Sequence, residues 1–205
     1  MHYLCPMAKV VQFPVNSTPE KFGLQRALKK KEKPGSGRGQ LNLFTTGKVV
    51  KLHQLSAFEE ALLVDEQGEI KTARSLYQKA IEEEDSAADA YCNLGIIESQ
   101  ENNYPKAIDC FTRALKLDPR HYEAHYNLAN LYAEVGNYQL AKIHYEIAVE
   151  IEPSFPNSYF NLGITLAVMK QYKEAIQSLN SFRNLCHEDE RKQAADLIFT
   201  LSGLL

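Results

Sequence analysis

The sequence predicts an all-α chain in which four helix-turn-helix units stack behind an amino-terminal tail. Three observations lead there. Side chains of fixed size recur every 34 residues, apolar residues recur at helical spacing twice within each period, and charge divides unevenly between residues 1–53 and the remainder. A period of this order marks stacked repeats, because one helical pair cannot bury its apolar face alone.

Several rows carry the period. Leu94, Leu128 and Leu162 form one, Asn93, Asn127 and Asn161 another, and Tyr104, Tyr138 and Tyr172 a third. Rows of four are Ala73, Ala107, Ala141 and Ala175; Tyr77, Phe111, Tyr145 and Leu179; and Ala80, Ala114, Ala148 and Phe182. Pro119 and Pro153 close the middle units. The register sets the units at 54–87, 88–121, 122–155 and 156–189.

Within a unit, turns such as Gln67-Gly68-Glu69 and Val135-Gly136-Asn137 part the two helices, and Gly136 suits the positive φ that ends a helix. Pro105 falls in the first turn of a second helix, where a missing N–H costs little. Small residues (Gly95, Ala129, Gly163 and the alanine row) mark the closest helix approaches, with Leu94, Phe111 and Tyr145 filling the space beside them. The run Glu82-Glu83-Glu84-Asp85 opposes the dipole of the helix it ends and reads as a solvated surface, with Asp85 and Ser86 available to cap the next helix. Ala194, Leu197, Ile198 and Leu201 at i, i+3, i+4 and i+7 predict an amphipathic capping helix within 190–205. Leu204 and Leu205 leave self-association open as another use of that end.

The rows resemble the tetratricopeptide repeat: an aromatic, Leu-Gly, an aromatic, Ala, an aromatic, Ala and a closing Pro. The second unit reads Tyr91, Leu94-Gly95, Ala107, Phe111, Ala114 and Pro119; the third reads Leu128-Ala129, Tyr132, Gly136, Tyr138, Ala141, Tyr145, Ala148 and Pro153. The end units depart from the pattern, with Glu60-Ala61 and Asp85 in the first and Phe182 and His187 in the fourth. The resemblance implies a right-handed superhelix whose first helices line a concave groove for an extended peptide. It places Phe58, Cys92, Asn93, Ile96, Tyr126, Asn127, Asn130, Phe160, Asn161 and Ile164 in that groove. A carboxamide both donates and accepts, so an Asn row can pair with a peptide backbone at regular intervals; the alternative is that these amides meet only water. Members of the family that clamp a chaperone's terminal carboxylate do so with Lys and Arg. The matching positions here carry Phe58, Leu62, Asn93, Glu123 and Asn127, and Asp89, Glu123 and Glu134 favour a neutral or basic peptide.

Composition narrows the function classes. No run approaches the roughly eighteen apolar residues of a spanning helix, so no membrane partner is expected. Four cysteines, Cys5, Cys92, Cys110 and Cys186, without a Cys-x-x-Cys pair or a secretory start, predict a reducing, cytoplasmic setting and buried or groove-facing thiols. Met7 offers a second start after Met1. His121 and His125 lie four apart, with His144 one helix later, yet no cysteine or carboxylate stands out to complete a ligand shell. No metal, cofactor or catalysis is expected.

The tail, 1–53, reads as a basic, largely disordered segment with a linker. It carries ten Lys/Arg against Glu20 and Glu32, a balance of +8; subtracting from the totals of 23 and 26 leaves thirteen against twenty-four, or −11, for the rest. Lys29-Lys30-Lys31-Glu32-Lys33 and the Pro34–Gly39 linker suit a solubilising tail, or electrostatic contact with nucleic acid. Gln40-Leu41-Asn42-Leu43-Phe44 resembles the bacterial sliding-clamp-binding pentapeptide. The resemblance implies Leu43 and Phe44 in an apolar pocket and Gln40 in a polar subsite, with Leu41 between them. The same apolar residues could instead pack on the first unit or fold back into the groove. Three functions follow: an adaptor binding a partner peptide, a replication or repair accessory tethered to the clamp, and a nucleic-acid-linked regulator.

Overall fold

The computed structural model describes residues 55–205. The described residues form nine helices: α1 Ala57–Glu66, α2 Ile70–Glu82, α3 Ala87–Gln100, α4 Tyr104–Leu117, α5 Tyr122–Glu134, α6 Tyr138–Ile151, α7 Pro156–Val168, α8 Tyr172–Leu185 and α9 Glu188–Ser202. The first eight form four helix-turn-helix units, and α9 packs on α8 as the cap. None of them is long and apolar enough to cross a membrane.

Local chemistry fixes the ends. Ser56 and Glu59 form a reciprocal capping box at the start of α1, each side chain taking the other's backbone N–H. Pro105 and Pro156 sit in the first turns of α4 and α7. Every turn inside a unit uses one left-handed residue at the same register: Gly68 at φ 80°, Asn102 at 61°, Gly136 at 78° and Lys170 at 61°. The next residue's N–H then reaches back to the preceding helix, as Asn137 does to the Tyr132 carbonyl at 2.8 Å and Gln171 to that of Leu166 at 2.9 Å. Lys170 holds this conformation against a Cβ clash worth roughly 1–2 kcal/mol.

The first inter-unit turn departs from the capping expectation. Ser86 adopts φ 51° and caps nothing with its side chain. The Asp85 carboxylate instead accepts from the Phe58 backbone N–H at 3.1 Å, tying the end of the first unit back to the start of α1.

Packing follows the rows. Ala73, Ala107, Ala141 and Ala175 are fully buried, as are Ala80, Ala114 and Ala148, and the large row Tyr77, Phe111, Tyr145 and Leu179 fills the space between helices. A Cβ built on Gly95 would lie 2.7 Å from the Phe111 ring, and one on Gly163 would lie 2.8 Å from Leu179 Cγ. Phe182, where the other units have Ala, meets Phe160 with ring centroids 4.9 Å apart. In the cap, Ala194, Leu197 and Leu201 join the cluster of the third and fourth units, while Phe199 stands 82% exposed.

Candidate functional site

The first helices of successive units touch directly, α3 against α5 and α5 against α7, making one continuous wall. Helical spacing puts Asp89, Asn93 and Ile96 on one stripe of α3, Glu123, Asn127, Asn130 and Glu134 on one stripe of α5, and Asn157, Asn161 and Ile164 on one stripe of α7. Polar contacts stitch the stripes together. The Asn127 amide donates to Cys92 Sγ at 3.6 Å across units two and three. The Asn161 amide donates to Asn130 Oδ1 at 2.8 Å and to the Tyr126 hydroxyl at 3.1 Å across units three and four, and Tyr145 donates its hydroxyl to the same Asn130 oxygen. Burial pushes the Tyr126 phenol up to about 12, so it stays neutral. The Asn161 carbonyl oxygen and the Ser158 hydroxyl are buried without a hydrogen-bond partner.

The structure covers most of the residues assigned to the groove. Phe58, Cys92, Asn93, Ile96, Tyr126, Asn127, Phe160 and Asn161 are buried; Asn130 and Ile164 are half-buried. The apolar members have packing partners: Phe58 meets Tyr77, Cys92 and Ile96 join the cluster of units two and three, and Tyr126 and Phe160 join that of units three and four. Burial also pushes the Cys92 thiol well up, which leaves it a poor nucleophile.

Sequence reasoning missed the role of His121. Its ring is fully buried at the start of α5, with Nε2 3.1 Å from Asp89 and Nδ1 3.2 Å from Glu123. Burial alone would lower its pKa, but the two carboxylates outweigh it and raise the value to about 9. Nδ1 also stands 3.2 Å from the Ala124 N–H. The charged ring donates Nδ1–H to Glu123; the neutral one turns Nδ1 into a cap for α5. Only Glu123, two residues on, was visible as a local clue, since Asp89 arrives through the fold.

The other two histidines pair with each other. His125 Nδ1 lies 2.9 Å from His144 Nδ1, His125 Nε2 lies 3.3 Å from the Pro119 carbonyl, and Tyr132 stacks on His144. Because a carbonyl only accepts, His125 carries its proton on Nε2, and His144 donates from Nδ1. Burial, with His125 close by, lowers His144 to about 4. Among the described residues no group of three His, Cys, Asp or Glu side chains is placed to hold a metal ion.

The models for the tetratricopeptide repeat match residues 88–121, 110–143 and 144–177. Together the matches span residues 88–177, a little under half of the chain. The fold agrees: YrrB, described as a tetratricopeptide-repeat protein with an unusual peptide-binding site, aligns with a TM-score of 0.61 at 23% identity, covering 72% of this chain and 75% of its own. MamA aligns at 0.61 and 19%, covering 72% and 81%. The first tetratricopeptide-repeat domain of Spaghetti (RPAP3), solved with the HSP90 peptide SRMEEVD, aligns at 0.53 and 21%, covering 57% and 91%. No curated protein matches the sequence. The tail motif Gln40, Leu41, Leu43 and Phe44, the basic run Lys29–Lys33 and the whole of 1–53 lie outside the described residues, as does Cys5.

Proposed function

We propose that this chain is a non-catalytic scaffold whose inner row of first helices holds an extended peptide segment. The observation that carries the reading is the polar row Asn93, Asn127, Asn130 and Asn161, set on the stripes of α3, α5 and α7, with Asn161 bonded to Asn130 and Asn127 bonded to Cys92 across units. Carboxamides held at fixed spacing suit a ligand whose backbone also repeats. Two of the similar structures, YrrB and the Spaghetti domain, are a protein with a peptide-binding site and a domain bound to a peptide, which accords with the reading. With no Lys or Arg on the ladder and with Asp89 and Glu123 beside it, the ligand preferred is neutral or basic rather than an acidic carboxyl-terminal tail.

The test is capture of partner segments by the full chain and by Asn93→Ala/Asn127→Ala/Asn161→Ala, with circular dichroism to confirm that the helices persist. Loss of capture from a folded variant is the expected outcome. Undiminished capture would place the binding surface elsewhere. The sliding-clamp and nucleic-acid readings rest on tail residues alone and gain nothing from the repeats.

A further inference from the structure

We propose that His125 and His144 form a site for one divalent transition-metal ion of imidazole preference, Cu(II), Ni(II) or Zn(II), which clips α5 to α6 within the third unit. The site stands apart from the peptide reading. Its geometry carries the inference. The two Nδ1 atoms lie 2.9 Å apart and the ring centroids 5.2 Å apart. The difference, 2.3 Å, matches the width of one ring, so the rings meet end-on and both Nδ1 atoms address the same space. Metal–imidazole bonds of about 2.0–2.1 Å hold two nitrogens about 2.9 Å apart at a right angle and about 3.3 Å apart at a tetrahedral one. The observed spacing sits at the first value, which favours the tetragonal ions Cu(II) and Ni(II) over tetrahedral Zn(II).

The surroundings suit a ligand pair. His125 donates Nε2–H to the Pro119 carbonyl at 3.3 Å, the outer contact that orients a metal-binding imidazole and makes Nδ1 its lone-pair nitrogen. The stacked Tyr132 ring holds His144 from the side. His144 donates from Nδ1 to His125; passing that proton through water to its own Nε2 keeps the ring neutral and turns the Nδ1 lone pair to the ion. Burial lowers both rings, so they meet the ion as neutral ligands. One turn back on α5, Asp89 and Glu123 outnumber the cation His121, two against one, and the balance of −1 favours a dication. His144 is half-buried, which leaves water an approach. Among the described residues no third His, Cys, Asp or Glu joins the pair, so water fills the remaining positions. The repeat itself does not require imidazole here. One period either side, the positions of His125 and His144 carry Tyr91 and Cys110, or Tyr159 and Ser178, so both histidines depart from their rows in the same unit.

The experiment is nitrogen NMR of the imidazoles in the full chain, titrated with zinc sulfate as a diamagnetic probe. The Nδ1 resonances of His125 and His144 should move together and saturate at one ion per chain, while magnesium moves neither. Nickel should then displace the zinc. His144→Gln should weaken the zinc response of His125 at least about tenfold, and His125→Gln that of His144, with circular dichroism confirming that the helices persist. Should either variant unfold, the joint saturation in the unaltered chain still decides. Still resonances at His125 and His144 would overturn the proposal. So would a response shared equally with His2, His53, His121 and His187, or a His125 shift indifferent to His144→Gln.

Discussion

The junction between the second and third repeats and the one between the third and fourth occupy equivalent stripes but are built from different chemistry. The former is ionic, with His121 locked between Asp89 and Glu123 and the bonded imidazoles of His125 and His144 nearby. The latter is made of neutral amides and phenols, with Asn161 bridging Asn130 and Tyr126. Apolar rows that are almost interchangeable support both. The repeat therefore fixes where helices meet, and leaves the polar side chains at each meeting free to set how the wall responds to charge and pH.

Removing the ionic lock should produce the largest effect. His121→Ala leaves Asp89 and Glu123 facing each other without their cation, and breaking a buried pair costs about 3–5 kcal/mol, seen as a lower urea midpoint. The pH dependence sharpens the point. With a folded pKa of about 9 against the ordinary 6.5, the His121 contribution is complete below 6.5 and disappears as pH rises through 9. The unaltered chain should lose stability across that window, and the His121→Ala chain should show a flatter alkaline limb. His144, lowered to about 4, acts in the opposite direction, removing stability as pH falls from 6.5 towards 4.

A smaller effect is expected at the neutral junction. Asn161→Ala removes two donated hydrogen bonds between repeats, costing about 1–2 kcal/mol, and its midpoint shift should be the same at pH 6 and pH 9. A shift that tracked pH would mean that the two junctions are electrostatically one site, and the contrast drawn here would be lost.

How much of this could be read in advance differs by kind of residue. Ala107, Phe111, Gly95 and their counterparts reveal themselves because packing repeats with the backbone, so equal positions meet equal neighbours. Even the left-handed turns follow the period, although Lys170 hides one behind a side chain that rarely adopts it. Some polar contacts keep the period, the Asn127 amide reaching Cys92 as the Asn161 amide reaches Tyr126, but others do not. Asp89 and His121 are 32 residues apart, off the period, and meet only once α3 and α5 are side by side. Asp85 turned towards Phe58 rather than capping α3, because the backbone at Ser86 took a left-handed turn. Tyr145 belongs to a packing row, yet its hydroxyl serves Asn130. Burial of Cys92, Tyr126 and Phe160 comes from tertiary neighbours that one helix cannot display.

The most direct test of the inner row is side-chain amide NMR of the full chain, titrated with a partner segment that it captures. The resonances of Asn93, Asn127 and Asn161 should move together and saturate. Asn180, whose amide is engaged by the Ile176 carbonyl within α8 at 2.9 Å, should stay still. Movement at Asn180 with a silent inner row would contradict the account.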